Sequence, residues 1–355
     1  MAMAQKVLVG MSGGVDSSVA AAYLLENGYD VTGCTLHLFD ADPENPDFSA
    51  SVDAKAVCEK LGIEHKTVNL TDNFSNKVIN EFINEYYAGR TPNPCIVCNK
   101  KIKFDEMLEI ALNSGFDKIA TGHYAVIEQN ENGRYLLKRP ADRSKDQTYV
   151  LYTLTQHQLA HTLFPLAQIT KETARKTAER YGFSNADKPD SQDICFVPDG
   201  DYAAFIERFT GKVYPKGDYI DLGGSVLGKH NGVICYTIGQ RKGLGIALGK
   251  PAFVVDKNAK NNTVTLSTDE AKLFYSKVLV EKTNFIPFDK LDAPMRVMAK
   301  LRYRHKEQPA LITPLENGRV LVEFDEPQRA PSPGQAAVFY DGDYVVGGGT
   351  IIKGE

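Results

Sequence analysis

Two sets of residues in this 355-residue chain have types and spacing suited to chemistry: a glycine- and serine-rich run near the start, and three cysteines in polar loops. The run is Ser12-Gly13-Gly14-Val15-Asp16-Ser17-Ser18. Adjacent glycines permit positive φ and let backbone approach a ligand closely. Ser17 and Ser18 fall where the first N–H groups of a helix have no internal partner, which makes the turn an anion site. Polyphosphate fits that chemistry. The run is not a Walker A loop, because Asp16 stands where that motif places Lys-Ser/Thr. A carboxylate beside phosphates implies a bridging Mg²⁺. A plain glycine turn with capping serines is the alternative, but a bare Gly-Gly turn is common and this seven-residue string is not.

The cysteines come next. Gly89-Arg90-Thr91-Pro92-Asn93-Pro94-Cys95-Ile96-Val97-Cys98-Asn99-Lys100 has two prolines one residue apart, so it reads as a rigid extended loop with a helix opening at Asn99 or Lys100. Cys98 is thereby expected at a helix N-terminus, where the partial positive charge and Lys100, Lys101 and Lys103 would favour thiolate and make it a candidate nucleophile. Cys95 is close enough to join it in a metal or redox site. The third is Cys195, in Lys188-Pro189-Asp190-Ser191-Gln192-Asp193-Ile194-Cys195-Phe196-Val197-Pro198, which reads as a loop entering a short strand. Cys34, Cys58 and Cys235 lie in apolar settings and read as small core residues.

The elements that must position these groups alternate. Strands are expected at Lys6–Met11, Asp30–His37, Lys66–Leu70 and Asp117–Thr121, with helices at 19–26, 54–61 and 73–87, and this predicts a doubly wound parallel sheet. In such sheets ligands bind at strand C-terminal ends, which directs Leu36, Gly122 and His123 to the crevice. For His123 a satisfied core histidine is the alternative. Further helices are expected from near Tyr149, at 169–181 and at 199–209. Beyond Gly211 glycines cluster and short β-rich runs replace helical periodicity, which predicts a small linking domain and then a barrel of six strands. The expected domains are 1–209, 210–275 and 276–355. Between Met295 and Arg304, basic Arg296, Lys300, Arg302 and Arg304 alternate with apolar residues, a pattern that suits either RNA or a solvated strand face.

Composition bounds the class. The formal net charge of −4 does not advertise nucleic-acid binding, and any basic face must be local. No apolar run is long enough to span a membrane and the first residues hold no signal-peptide core, so a soluble, cytoplasmic protein without membrane partners is expected. Six cysteines in a chain built like an intracellular enzyme are expected to be reduced thiols with chemical roles.

SGGVDSS resembles the PP-loop of ATP pyrophosphatases, which cleave ATP between the α and β phosphates. Together with TPNPCIVCNKKIKF, ATGHY, SKDQTYVLY, SQDICF and YTIGQRKGLGI, it makes the chain similar to the MnmA/TrmU family of tRNA-specific 2-thiouridylases from Val7 to the C-terminus. The resemblance implies a sulfurtransferase that uses ATP, Mg²⁺ and persulfide sulfur from a cysteine desulfurase or a relay protein. It acts on the wobble uridine of the tRNAs for Lys, Glu and Gln. It implies Cys98 as nucleophile and Cys195 as persulfide carrier. Nucleotide contacts fall on Gly10, Met11, Ser12, Gly13, Gly14, Val15, Asp16, Ser17, Leu36 and Gly122. The target base is met by Asn93, Pro94 and Cys95, and tRNA by His123, Lys145, Asp146, Gln147, Arg302, Tyr303 and Gln335.

Cys95 departs from the family, many members of which carry Asp there with a proton-handling role. The same three cysteines, Cys95, Cys98 and Cys195, are also a potential ligand set for a [4Fe–4S] cluster with one iron open to sulfide. An amide-forming PP-loop synthetase is the neighbouring alternative within the fold, and a non-catalytic tRNA-binding or iron–sulfur scaffold the alternative outside enzymes.

Overall fold

The computed structural model describes residues 4–40, 44, 47–188 and 194–355. Met1–Met3, part of the polar stretch 39–51, and Ser191, Gln192 and Asp193 of the SQDICF motif lie outside the described residues. Five parallel strands form the first sheet, in the spatial order His65–Asn69, Asp30–His37, Lys6–Gly10, Lys118–Thr121, Thr162–Leu163. Chain order reverses between Lys6–Gly10 and Lys118–Thr121, so the crevice opens at the ends of these two strands. The two central strands, Lys6–Gly10 and Lys118–Thr121, have apolar buried interiors because helices cover both faces, whereas the edge strand His65–Asn69 is polar and largely exposed. Val7, Val9, Val19, Ala20 and Ala21 pack on one side, and Leu8, Ile119, Met107 and Phe104 on the other.

A second sheet of four strands spans Gly217–Ile220, Val226–His230, Phe253–Asn258 and Thr263–Ser267. Its outer two strands pair antiparallel with their neighbours, while Thr263–Ser267 runs parallel to Gly217–Ile220. Among the β-rich runs expected beyond Gly211, Val233–Cys235 is instead a tight helical turn that buries Val233 and Ile234. The last six strands, from Phe274–Phe285 to Tyr344–Gly354, close into an antiparallel barrel because the first pairs with the last as well as with Val320–Arg329. Closure removes the sheet edges. A hairpin, Val126–Gln129 with Tyr135–Lys138, leaves the N-terminal body and adds to this barrel through Lys138 opposite Tyr344.

Candidate active site

The first sheet strand ends at Gly10, and Gly14 caps a helix that runs over Val15–Glu26, four residues earlier than the Ala/Leu content suggests. Among the described residues no side chain caps that helix. Its first amides therefore face the crevice unblocked, as anion binding requires. Ser17 Oγ instead receives the N–H of Ser12 at 3.2 Å and donates to the Gly14 carbonyl at 3.1 Å, drawing the turn tight. Gly13 adopts φ +70°, and a Cβ there would stand 2.8 Å from the Ala50 carbonyl oxygen. At Gly122 a Cβ would lie 2.7 Å from both Asp16 C and Ser17 N, so only glycine lets the neighbouring strand end abut the helix start. This is a backbone cradle of a shape that suits the phosphates of ATP. Leu36 lies one strand away, half-buried between two apolar clusters.

Three residues that the sequence did not single out for chemistry complete the cradle. Asn185, buried, donates through Nδ2 to the Gly13 carbonyl at 3.1 Å and to Ser18 Oγ at 3.0 Å. Lys171 places Nζ 2.8 and 2.7 Å from the two carboxylate oxygens of Asp16, and Tyr124 OH donates to Asp16 Oδ1 at 2.9 Å. Tyr124 was within a quoted motif; Lys171 and Asn185 left no local signal, since both act across more than 150 positions of chain.

The cysteine loop differs from the expectation in one respect. The helix starts at Pro94, with Asn93 as its cap accepting the Cys95 N–H at 3.1 Å, and continues through 99–113. Proline is tolerated at the first helical position, where its missing N–H has no partner to lose. Cys95 therefore sits at the helix start and Cys98 one turn inside. Burial pushes the Cys98 thiol from its ordinary 9.0 up to about 12, with Cys195 and Cys95 adding to the rise and Lys103 opposing it. Partial desolvation by the surrounding protein likewise raises Cys95 and Cys195, although both side chains reach solvent and Cys98 is half-buried. The expected stabilised thiolate is thus overturned for the free protein: desolvation outweighs the helix end and Lys103.

Cys98 and the segment that carries Cys195 nevertheless pack on the same part of the molecule. The cause is a shared apolar cluster. Phe196, next to Cys195, packs its ring on Phe74 at 5.6 Å, Phe82 at 5.3 Å and Phe205 at 5.1 Å, and Cys98 and Ile194 lie against the same cluster. Ile194–Pro198 is a turn, with the Val197 N–H on the Ile194 carbonyl at 2.8 Å, and not the expected strand. Among the described residues no three His, Cys, Asp or Glu side chains are gathered to hold a metal. As placed here, Cys95, Cys98 and Cys195 are not such a group.

The cradle and the thiols meet through His123 and Met107. Gly122 abuts the start of the helix Val15–Glu26, while the His123 ring stands 5.8 Å from that of Phe104, in the helical stretch that follows Cys98. Met107 of the same helical stretch comes up under Gly10. His123 is buried between Phe104 and Phe164 with Nδ1 2.8 Å from Thr121 Oγ1, and burial holds its pKa well below the usual value. Its placement is that of a core histidine, not of a surface group facing tRNA.

The remaining residues expected at tRNA lie where three bodies meet. Tyr303 OH donates to the Asp146 carbonyl at 3.2 Å, and Lys300 Nζ sits over the Tyr149 and Tyr303 rings. Gln147 and Tyr124 join by two bonds, the Gln147 N–H to the Tyr124 carbonyl and the Tyr124 N–H to Gln147 Oε1. Lys145 closes the short helical turn Arg143–Lys145, capped by Asp142. Arg302 Nη2 donates to the carbonyls of Ile238 and Ala330 and to Ser332 Oγ, so this basic residue is spent inside the protein, while Arg296 pairs with Asp325 at the surface. Gln335 Nε2 donates to the Thr91 and Pro92 carbonyls at 2.7 and 3.3 Å, so the barrel grips the loop that carries Asn93, Pro94 and Cys95.

Three family models match the chain: a tRNA methyl transferase HUP domain over residues 5–199, a tRNA methyl transferase PRC-barrel domain over 203–268 and an aminomethyltransferase beta-barrel domain over 275–351. The tRNA-specific 2-thiouridylase MnmA of Acetivibrio thermocellus is 54% identical over 98% of this chain and 99% of its own length. That of Clostridioides difficile is 49% identical over 99% of each. Among solved structures, a 4-thiouridine synthetase–RNA complex with bound ATP aligns with 55% of this chain and 45% of that chain at 20% identity and a TM-score of 0.37, a likeness too slight to build on. On the full-length identity to these relatives, the chain belongs to the family of tRNA-specific 2-thiouridylases.

Proposed function

We propose that this chain is a tRNA 2-thiouridylase, which adenylates the C2 oxygen of the wobble uridine in the tRNAs for Lys, Glu and Gln and then replaces that oxygen with persulfide sulfur. What supports the reading is a glycine turn whose backbone suits phosphates, with Met107 of the helical stretch that follows Cys98 against Gly10, and Cys98 and Ile194, the neighbour of Cys195, packed on one apolar cluster. A uridine C2 carbonyl is a poor electrophile. Its oxygen attacks the α-phosphorus of ATP, pyrophosphate leaves, and the oxygen becomes part of a phosphate leaving group. The terminal sulfur of a persulfide on Cys195 attacks C2, and AMP departs with the former carbonyl oxygen. Cys98 then attacks Sγ of Cys195. The S–S bond breaks toward the sulfur on C2, which becomes the thiocarbonyl, and the resulting Cys98–Cys195 disulfide is returned to thiols by a thiol reductant.

A persulfide is more acidic than a thiol, so sulfur loading supplies the anion that burial denies to the free cysteine. Mg²⁺ enters with ATP and neutralises phosphate charge, with Asp16 as the carboxylate suited to hold it. Backbone at Gly10–Ser17, with Leu36 and Gly122, holds the nucleotide; Asn93, Pro94 and Cys95 meet the extruded base, which is already unpaired in an anticodon loop. Lys145, Asp146, Gln147, Arg302, Tyr303 and Gln335 contact the tRNA across bodies divided near 209/210 and 275/276. The sulfur comes from a cysteine desulfurase or relay protein in the cytoplasm; among the described residues no helix is long and apolar enough to cross a membrane.

The test is release of AMP and pyrophosphate from ATP that depends on unmodified cognate tRNA. Release with free carboxylates and ammonia in place of tRNA would identify an amide synthetase instead.

A further inference from the structure

The run from Gly10 to Ser18 contains no positive charge, yet the ligand read for it carries several negative ones. Its single ionisable side chain is the carboxylate of Asp16, which left bare would repel a polyphosphate. The structure covers that carboxylate with Lys171, whose ammonium contacts both oxygens at 2.8 and 2.7 Å, from a side chain about nine-tenths buried. The lysine is delivered to this place. It is the first residue of the helix Lys171–Arg180, which Thr170 caps and which packs on the helix Val15–Glu26, and its own N–H donates to Asp142 Oδ2 at 2.9 Å. The four-carbon stem above that fixed backbone leaves the ammonium free to change partner over a few ångströms.

We propose that Lys171 is the phosphate-binding cation of this nucleotide site. In the free protein it is held on Asp16; when ATP binds, its ammonium passes to the polyphosphate and Asp16 is released to the accompanying divalent cation. The exchange involves no covalent step. It supplies from 155 positions away the charge that a Walker A loop carries within itself. The inference rests on reading the Ser12–Ser18 turn as an ATP cradle.

Calorimetric titration of the full chain with ATP, with and without Mg²⁺ and with adenosine as a phosphate-free control, tests it. K171M is expected to weaken ATP binding about ten- to a hundredfold, the worth of a charge-assisted contact, while adenosine binds as in the wild type; K171R retains part of the loss. D16N is expected to tighten ATP binding without Mg²⁺, because the lysine is no longer engaged, and to abolish the gain that Mg²⁺ gives the wild type. Wild-type ATP affinity in K171M would overturn the proposal, as would an equal loss of ATP and adenosine binding. If K171M does not fold, the Mg²⁺-free titration of D16N decides, and a weakening there contradicts the exchange. A wild-type protein that binds no ATP would instead overturn the reading of the loop on which this one rests.

Discussion

At the scale of single residues the decisive quantity is the protonation of Cys98. The fold raises its thiol to about 12 by burial, although Lys103 pulls the other way. Alkylation of Cys98 in the free protein is therefore expected to be slow at neutral pH and to quicken about tenfold per pH unit from 7 to 10. Mass spectrometry of peptides labelled at each pH checks this, and a rate that is flat above pH 8 would contradict it. The same shift acts on stability. The folded thiol keeps its proton longer than an unfolded one, so its contribution is complete below about 9 and is lost as pH rises through about 12. C98S is expected to reduce that alkaline loss, read from denaturant midpoints between pH 8 and 10.5. Sequence alone pointed the wrong way here. Lysines and a helix end are visible in the chain, whereas the packing that desolvates Cys98 comes from segments far away, including the turn at Ile194.

Two elements hold the chemistry in place, and each can be broken singly. A Cβ at Gly122 meets backbone atoms of Asp16 and Ser17 at 2.7 Å, and backbone has no rotamer to escape into. G122A is expected to cost about 1–3 kcal/mol of stability and to weaken ATP binding at least tenfold, measured by thermal melts and titration. Phe196 is the anchor of the Cys195 turn, buried among Phe74, Phe82 and Phe205. F196A is expected to cost about 3–5 kcal/mol and to reduce sulfur transfer while leaving ATP affinity within about twofold of wild type, since the cradle lies on another core cluster. Equal losses in both would place the two thiols and the cradle in one inseparable unit.

The strand–turn–helix around Gly13 was legible because every signal is local: a β-branched run, two glycines, then a helical composition. The helix start at Pro94 departs from the expectation because proline, a breaker inside a helix, breaks nothing at the first helical position. The hairpin at Val126–Lys138 was missed altogether. Its strands gain their place from a barrel strand some two hundred positions later, and short segments carry no trace of such a partner.

Across the whole molecule, the barrel acts on the cysteine loop. Gln335 holds the Thr91 and Pro92 carbonyls, and the Thr91 N–H donates to the Pro333 carbonyl at 2.7 Å, so a body more than two hundred positions downstream sets where Asn93, Pro94 and Cys95 stand. Q335A is expected to lower the rate of thiolation about tenfold through that loop, with ATP affinity unchanged; a parallel fall in ATP binding would show that the barrel also supports the cradle. Arg302 works similarly, tying the middle body's Ile238 to the barrel's Ala330 and Ser332. The basic strand pattern is visible in the sequence, but the engagement of Arg302 within the protein depends on tertiary partners that no pattern reports.

The central claim is that a nucleotide-activated uridine receives sulfur passed between Cys195 and Cys98. It is tested most directly by nucleoside mass spectrometry of unmodified cognate tRNA after incubation with ATP, Mg²⁺, a persulfide donor and the wild type, C98S or C195S. The account predicts 2-thiouridine with the wild type and none with either variant, both of which still bind ATP. Formation of 2-thiouridine by both variants would contradict it.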